Sequence, residues 1–336
     1  MSAIRLVVLG ASNIAGRSTV PAMKAVDGVE VVSVAARSRE RAEKFAGTHG
    51  LSVAEDYAAV VADPDLDAIY VPLPNGLHHR WVAEALRAGK HVLCEKSLTG
   101  SYAQSRELIE LARQNDRVLV ENFMCENHPQ HGAALSHVAD GGLGKLRHME
   151  LSFGFPPFPR EDQRNSLTLD GGALNDAGAY CVFMARHYAG RTPVSVSAIR
   201  YDEDYDVDVV GSSHLDFGEG LTASLTFGFG HDYRNEIWLW GSGGQVRIDR
   251  AFSIPRDRIP SVTLISNTVE TALDLAPADQ FALQIERFRQ LVLTGDGLGA
   301  EYTKLLEHAA TMEAMRRSGH AAGARISPAE LLDVEA

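Results

Sequence analysis

Two short stretches bring together side chains that can stabilise charge and move a proton. In "HVLCEKSLTG", His91 to Gly100, an apolar run from His91 to Cys94 passes directly into Glu95 and Lys96. An unpaired charge in a sheet core is expensive, so this carboxylate and ammonium either surface at a cleft or pair there. In "GGALNDAGAYCVFMAR", Gly171 to Arg186, Asp176 and Tyr180 are four residues apart and share one face if the segment is helical. The plainer account makes Asp176 the acidic start of that helix and Tyr180 a half-buried ring with a wet hydroxyl. The sharper account makes Tyr180 a general acid. A cation such as Lys96 nearby would draw its phenol down from a reference pKa of about 10.

A third stretch reads as a phosphate loop. "GASNIAG", Gly10 to Gly16, follows the apolar run "IRLVVL". A dinucleotide fingerprint needs small residues for the tight turn, the approach of a pyrophosphate and the helix–strand contact. Gly10 fills the first slot, Ser12 replaces the second glycine and Ala15 takes the third, with Asn13 and Ile14 between them. The second strand ends in "AARSRER", so Arg37, Ser38 and Arg39 stand where an NAD site places an acid. Guanidinium grips a ribose phosphate that a carboxylate would repel, and NADP(H) is the expected cofactor. The alternative is that Arg37 and Arg39 are solvated residues opening a helix.

These residues need a scaffold that lifts them to one edge. Ile4–Gly10, Val29–Arg37, Leu66–Pro74, "HVLCEK" and "RVLVENF" read as near-continuous apolar strands, separated by helical stretches. That alternation indicates a parallel sheet covered on both faces. The expected fold class is α/β, with a doubly wound nucleotide-binding domain over residues 1–122. Ligands of such sheets bind at the carboxyl ends of the strands. This places Leu73, Pro74, Asn75, His78, Glu95, Lys96 and Asn122 at the cofactor crevice, although a lone His such as His78 is equally a satisfied structural residue. Residues 123–336 read differently: a helix, the long strand "KLRHMELSFGF", a helix around Ala173–Tyr188, then successive strands with Gly-rich turns and two closing helices. This second domain is expected to be α+β with a large, open, mostly antiparallel sheet.

Composition excludes several classes. The chain has 336 residues, with 32 basic against 44 acidic, a poor balance for a nucleic-acid partner. Cys94, Cys125 and Cys181 fit no metal spacing or disulfide framework and suggest a reducing compartment. The opening "MSAIRLVVLG" lacks the regions of a signal peptide, and no run approaches the roughly 18–20 apolar residues of a membrane span. A soluble, cytoplasmic protein without a metal is expected.

Taken together, "GASNIAG", "YVPLPNGLHHRW", "AGKHVLCEKSL", "ENFMCENHPQH" and "GGALNDAGAY" resemble the glucose–fructose oxidoreductase and inositol dehydrogenase family along nearly the whole chain. The resemblance implies a Rossmann domain followed by a substrate-binding domain whose open sheet commonly forms an oligomer interface, here a homodimer or homotetramer. It also implies that Lys96 is catalytic and that Tyr180, four residues after Asp176, is the proton donor. "FGFPPFPREDQR", "DVDVVG" and "DQFALQIERF" look like the nucleotide-diphosphate-hexose 3-ketoreductases within it. That likeness implies NADPH and a dTDP-linked 3,4-diketo sugar reduced at C3, in routes to glycosylated natural products such as antibiotics. Asp176 would hold a sugar hydroxyl. Arg160, Arg164, His231, Tyr233 and Arg234 are candidates for the nucleotide diphosphate, each equally readable as a solvated loop residue. Two departures stand out. Ser97 replaces the usual proline after the lysine, and Asn175 and Ala177 flank Asp176 where the family more often has apolar residues. Two rival readings remain: a dehydrogenase of free sugars, polyols or dihydrodiols, and a silent NADP-binding sensor.

Overall fold

The computed structural model describes residues 3–202 and 204–332. Contacts divide the chain into two units, one formed by residues 1–124 and 281–306, the other by residues 125–280 and 307–336.

The first unit is built on a six-stranded parallel sheet: β1 (Ile4–Leu9), β2 (Val29–Ala35), β3 (Ser52–Val53), β4 (Ala68–Val71), β5 (His91–Cys94) and β6 (Leu119–Glu121). Their order is β3-β2-β1-β4-β5-β6, the doubly wound arrangement with its switch point beside β1. Helices α1 (Val20–Ala25), α2 (Arg39–His49), α3 (Tyr57–Ala62), α4 (His78–Arg87) and α5 (Tyr102–Gln114) alternate with the strands. Because side chains alternate across a strand, Val7 and Leu9 of β1 enter one apolar cluster with Trp81, Leu86 and Leu108. Leu6 and Val8 enter the other, with Met23 and Leu93. Both faces of the sheet are therefore dry, which is why these strands read as unbroken apolar runs. Short polar residues set the helix starts: Ser38 accepts from the Arg41 N–H, Asp56 from Ala59 and Ser101 from Gln104. β3 and α3 fall in a segment whose pattern is too short to announce either.

The second unit contains α6 (Pro129–Ala139), α7 (Ala179–Ala189) and an eight-stranded sheet. Its strands are β7 (Leu146–Gly154), β8 (Ser195–Tyr201), β9 (Val210–Asp216), β10 (Thr222–Gly228), β11 (Arg234–Gly241), β12 (Gln245–Asp249), β13 (Ser261–Ser266) and β14 (Val269–Ala272). They run in the order β14-β13-β12-β11-β7-β10-β9-β8, antiparallel except for the β10–β7 pair. The segment "EIWLWGSGGQVRID" is a hairpin of β11 and β12, with the glycines at its turn. One face of the sheet buries Leu151, Phe153, Leu225 and Phe227 on the side where α7 packs. The other face carries His148, Glu150, Ser224 and the exposed Trp240.

Helices α8 (Gln280–Thr294) and α9 (Leu298–His320) follow, with the short α10 (Ala329–Leu332). Placing all of 123–336 in one C-terminal domain needs amendment, because residues 281–306 group with the first unit. Ile285, Phe288 and Leu291 are buried with Leu6, Val8 and Tyr70, while Tyr302 and Leu305 join the cluster on the opposite face. Amphipathic periodicity shows that a helix has an apolar face, not which sheet that face covers. Phe288 is 1% exposed; Phe288→Ala is expected to cost about 3–5 kcal/mol, read as a lower unfolding midpoint of the first unit.

Candidate functional site

At the carboxyl end of β5, the chain turns through Glu95, Lys96, Ser97 and Leu98, and polar contacts hold this turn in place. Glu95 points back into the sheet: its Oε1 accepts from the Tyr70 hydroxyl at 2.6 Å and from Asn122 Nδ2 at 2.7 Å. Tyr70 in turn meets the Thr19 hydroxyl at 3.0 Å. Burial pushes the Glu95 carboxyl above the usual range, while Tyr70, Asn122 and the charge of Lys96 oppose that shift. The Ser97 carbonyl lies 2.9 Å from His78 Nδ1, and the other ring nitrogen of His78 lies 2.7 Å from the Leu73 carbonyl. His78 is wholly buried, and burial pulls its imidazole below the ordinary value. It ties the loop after β4 to the turn after β5. The Leu98 N–H donates to Glu121 Oε1 at 2.7 Å. The Lys96–Ser97 peptide is cis. Lys96 itself is half-buried on this turn.

The loop after β1 has the shape its glycine requires. Gly10 has φ +133°, and a Cβ there would meet Leu73 Cδ2 at 2.9 Å, so Leu73 closes over the turn. Ser12 Oγ accepts the Ala15 N–H at 3.2 Å, capping the π-helical turn Ala15–Thr19 that leads into α1. Asn13 is exposed, Ile14 half-buried and Ala15 buried. After β2, Ser38 caps α2, and Arg39 pairs with Glu43 at 2.9 Å on the surface. The charges of Arg37 and Arg41 both act on the Tyr57 phenol, and the Arg37 backbone is hydrogen-bonded to it. Arg41 also donates to the Ala11 carbonyl at 3.3 Å, bridging the first loop to α2. Pro74 and Asn75 are half-buried at the 3-10 turn before α4.

In the second unit, Asp176 lies in the π-helical turn Leu174–Gly178, and Tyr180 follows in α7. Asp208 secures the start of that turn: its Oδ2 accepts from the Leu174 N–H at 2.8 Å, and its Oδ1 from Arg200 at 3.1 Å. Arg164 Nε donates to Asp176 at 2.9 Å and Nη1 to Asp162 at 3.1 Å, so this guanidinium is held between two carboxylates. Asn175 braces the Asp170 carbonyl and accepts from Arg316 at 3.0 Å, which gives that departure a structural task. Tyr180 is 7% exposed, with its ring edge-on to Phe153 at 5.4 Å. Phe153 continues through Phe155 at 4.7 Å to Phe158 and Tyr233. Arg164 lies over the Phe158 ring, Arg250 over Tyr233 and Arg160 over Tyr205. His231 packs against Gly154 and Gly228, and Arg234 is paired with Glu236. Among the described residues no cluster of His, Cys, Asp and Glu could hold a metal, and no helix is long and apolar enough to cross a membrane. All three cysteines are free and buried.

Residues 4–123 match the model of the oxidoreductase family with an NAD-binding Rossmann fold, and residues 132–247 match the GFO/IDH/MocA C-terminal domain. The chain is 38% identical to a dTDP-3,4-didehydro-2,6-dideoxy-alpha-D-glucose 3-reductase of Actinomadura kijaniata, over 93% of this chain and 95% of that one. It is also 32% identical to an NADP-dependent D-xylose 1-dehydrogenase of Haloferax volcanii, over 86% and 89%. A crystal structure of a 3-ketoreductase from Actinomadura kijaniata with NADP and TDP-benzene superposes with a TM-score of 0.91 at 37% identity, covering 94% of this chain and 98% of that one. Variants of that ketoreductase with a single tyrosine or a single lysine substituted have been crystallised with the same ligands.

Sequence reasoning passes over Arg41 and Glu121. Arg41 is four residues beyond Arg37 in an ordinary charged helix, and only the fold of the β1 loop brings Ala11 to it. Glu121 sits one residue before Asn122 in "VEN" and carries no spacing signal. The Tyr70–Glu95 bond offers a test. Tyr70→Phe removes a donor to a buried charge and is expected to cost about 1–3 kcal/mol. The loss should be larger near pH 8 than near pH 5, where Glu95 more readily takes a proton, as checked by urea unfolding.

Proposed function

The chain belongs to the GFO/IDH/MocA oxidoreductase family, and from that membership we propose that it is an NADPH-dependent sugar ketoreductase acting at C3 of a dTDP-linked 3,4-diketo-deoxyhexose. The observation that carries this reading is near-full-length similarity to 3-reductases of that substrate class, one of them crystallised with NADP and a TDP ligand.

The residues after β1 and β2 suit NADP. The tight Gly10 turn and the first N–H groups of the following helix favour a pyrophosphate. No acid stands at the end of β2, where Arg37, Ser38, Arg39 and Arg41 offer a ribose phosphate cations and a hydroxyl. Leu73, Pro74 and Asn75 would shape the crevice around the nicotinamide end. Glu95 and Asn122, expected there from the sequence, are buried against each other in the sheet and would act, like His78, through the segments they hold. The bound cofactor supplies the hydride.

The protein's part is protonic and electrostatic. Tyr180 gives its hydroxyl proton to the ketone oxygen as negative charge develops there. Lys96 stabilises that charge and favours a more acidic phenol. The tyrosine and lysine substituted in the crystallised relative are spaced along its chain as Lys96 and Tyr180 are along this one, which supports these assignments. Asp176, oriented by Arg164, accepts from a sugar hydroxyl. Arg160, His231 and Tyr233 serve the diphosphate and base beside the aromatic row that begins at Tyr180. Arg164 contributes less net charge than an isolated arginine because two carboxylates already hold it. The open face of the large sheet, with Ile199, Tyr201 and Trp240 exposed, would form the homodimer or homotetramer contact. Buried free thiols suit a cytoplasmic location.

A second reading, an NADP-dependent dehydrogenase of free sugars, draws on the similarity to the D-xylose enzyme. Turnover decides between them: oxidation of NADPH with dTDP-keto-sugars and none with free sugars supports the first, and the reverse supports the second. Tyr180→Phe is expected to lower kcat by about 10²–10⁴-fold while NADPH affinity, measured by fluorescence titration, stays near that of the parent protein. A kcat close to the parent's would remove Tyr180 as the proton donor. Arg37→Ala combined with Arg41→Ala should weaken NADPH binding and leave NADH binding nearly unchanged, since only the former carries the extra phosphate.

A further inference from the structure

Strand β6 ends in Glu121, a carboxylate that is 6% exposed. It lies opposite Cys94, the last residue of β5, so its side chain rises beside the turn that leaves that strand. Its Oε1 accepts the Leu98 N–H at 2.7 Å, two residues past Lys96. The ladder between the strands does not require this bond, because Asn122 N–H already donates to the Cys94 carbonyl at 2.8 Å. A neutral glutamine would fill the same space and accept the same bond at less desolvation cost. What a carboxyl adds over glutamine at this position is a charge that can be gained and lost.

The charges that face Glu121 show what it acts upon. Lys96 and Lys304 favour its ionised form, and Glu301 opposes it. Glu301 is itself buried and paired with Arg287 and with Lys304 at 3.0 Å. Burial, aided by Glu301, pushes the Glu121 carboxyl up to about 7. The group next to the lysine turn is thus poised between charged and neutral around neutrality. The Cys94 thiol, held well above its usual range by burial and by Glu121, does not compete as an anion.

We propose that Glu121 is a positioning residue for Lys96: it anchors the turn at Leu98 and, as a carboxylate, sets a negative charge beside that turn, which protonation removes. The proposal rests on the assignment of Lys96 to catalysis. Glu121→Gln keeps the shape and the acceptor and removes the charge. With NADPH and a dTDP-keto-sugar that the parent protein turns over, the parent's kcat should fall as pH drops through about 7, following the carboxyl. The variant's kcat should be flat across that range and, at about pH 8, roughly tenfold to a hundredfold below the parent's. KM and NADPH affinity should change little in the variant. Glu121→Asp, which keeps a charge, should restore a titrating limb.

Stability gives a readout that needs no substrate. A carboxyl raised in the folded state stabilises the fold below its ordinary pKa, and that contribution disappears as pH rises through the folded value. The unfolding midpoint of the parent protein should therefore fall relative to Glu121→Gln between about pH 5 and about pH 8. An unchanged acidic limb in a Glu121→Gln protein that still turns over, or a lower kcat with the limb intact, would overturn the positioning role and leave the functional reading standing. Identical pH dependence of stability in the two proteins would overturn the titration of Glu121. No turnover of any keto-sugar by the parent protein would instead overturn the reading of function on which the proposal rests.

Discussion

A carboxylate buried at the end of the central sheet must be given donors or a proton, and much of the first unit is arranged around that requirement. Glu95 closes β5 with its side chain turned inward, where Tyr70 from β4 and Asn122 after β6 reach it. Those two donors come from the strands on either side, so satisfying Glu95 also locks three strand ends in register. The Thr19 hydroxyl extends the network to the segment that follows the β1 loop. With Glu95 held inward, the next residue along the turn, Lys96, is carried at the carboxyl edge of the sheet by a framework of fixed polar contacts.

The same economy governs the second unit. Its charged side chains near Tyr180 are paired: Arg164 with Asp162 and Asp176, Arg200 with Asp208. A charge that is partly buried needs such partners, and pairing also orients it. Asp176 is therefore better read as one end of an oriented ion pair than as a solitary acid at a helix start. The aromatic row from Tyr180 through Phe153 and Phe155 to Phe158 and Tyr233 supplies rigid, low-entropy surface. Two of its rings already accept guanidinium groups on one face.

Much of this was readable from residue order. The six-stranded parallel sheet follows from apolar runs that alternate with helices, and the tight turn after β1 from glycine at the end of the first strand. Membership of the oxidoreductase family follows from motifs spread along the chain. What escaped reading has a common physical character. β3 and α3 are too short to show a period. Arg41 meets Ala11, and Glu121 meets Leu98, across separations of 30 and 23 residues, where no local pattern links the partners. The destination of α8 was hidden for the same reason.

Sequence by itself determined the alternation of elements, the absence of an acid after β2 and the placing of Lys96 and Tyr180 on segments that can present them. Local rules suffice for these because side-chain period, turn chemistry and strand ends are set within a few residues. Tertiary structure alone decided which way Glu95 faces, that His78 braces two loops and that Arg164 belongs to Asp162 and Asp176. It also decided that a carboxylate from β6 stands beside the lysine turn. Each of these is a choice of partner for a buried or half-buried polar group, and such a choice is settled only when distant segments have packed and water has been excluded.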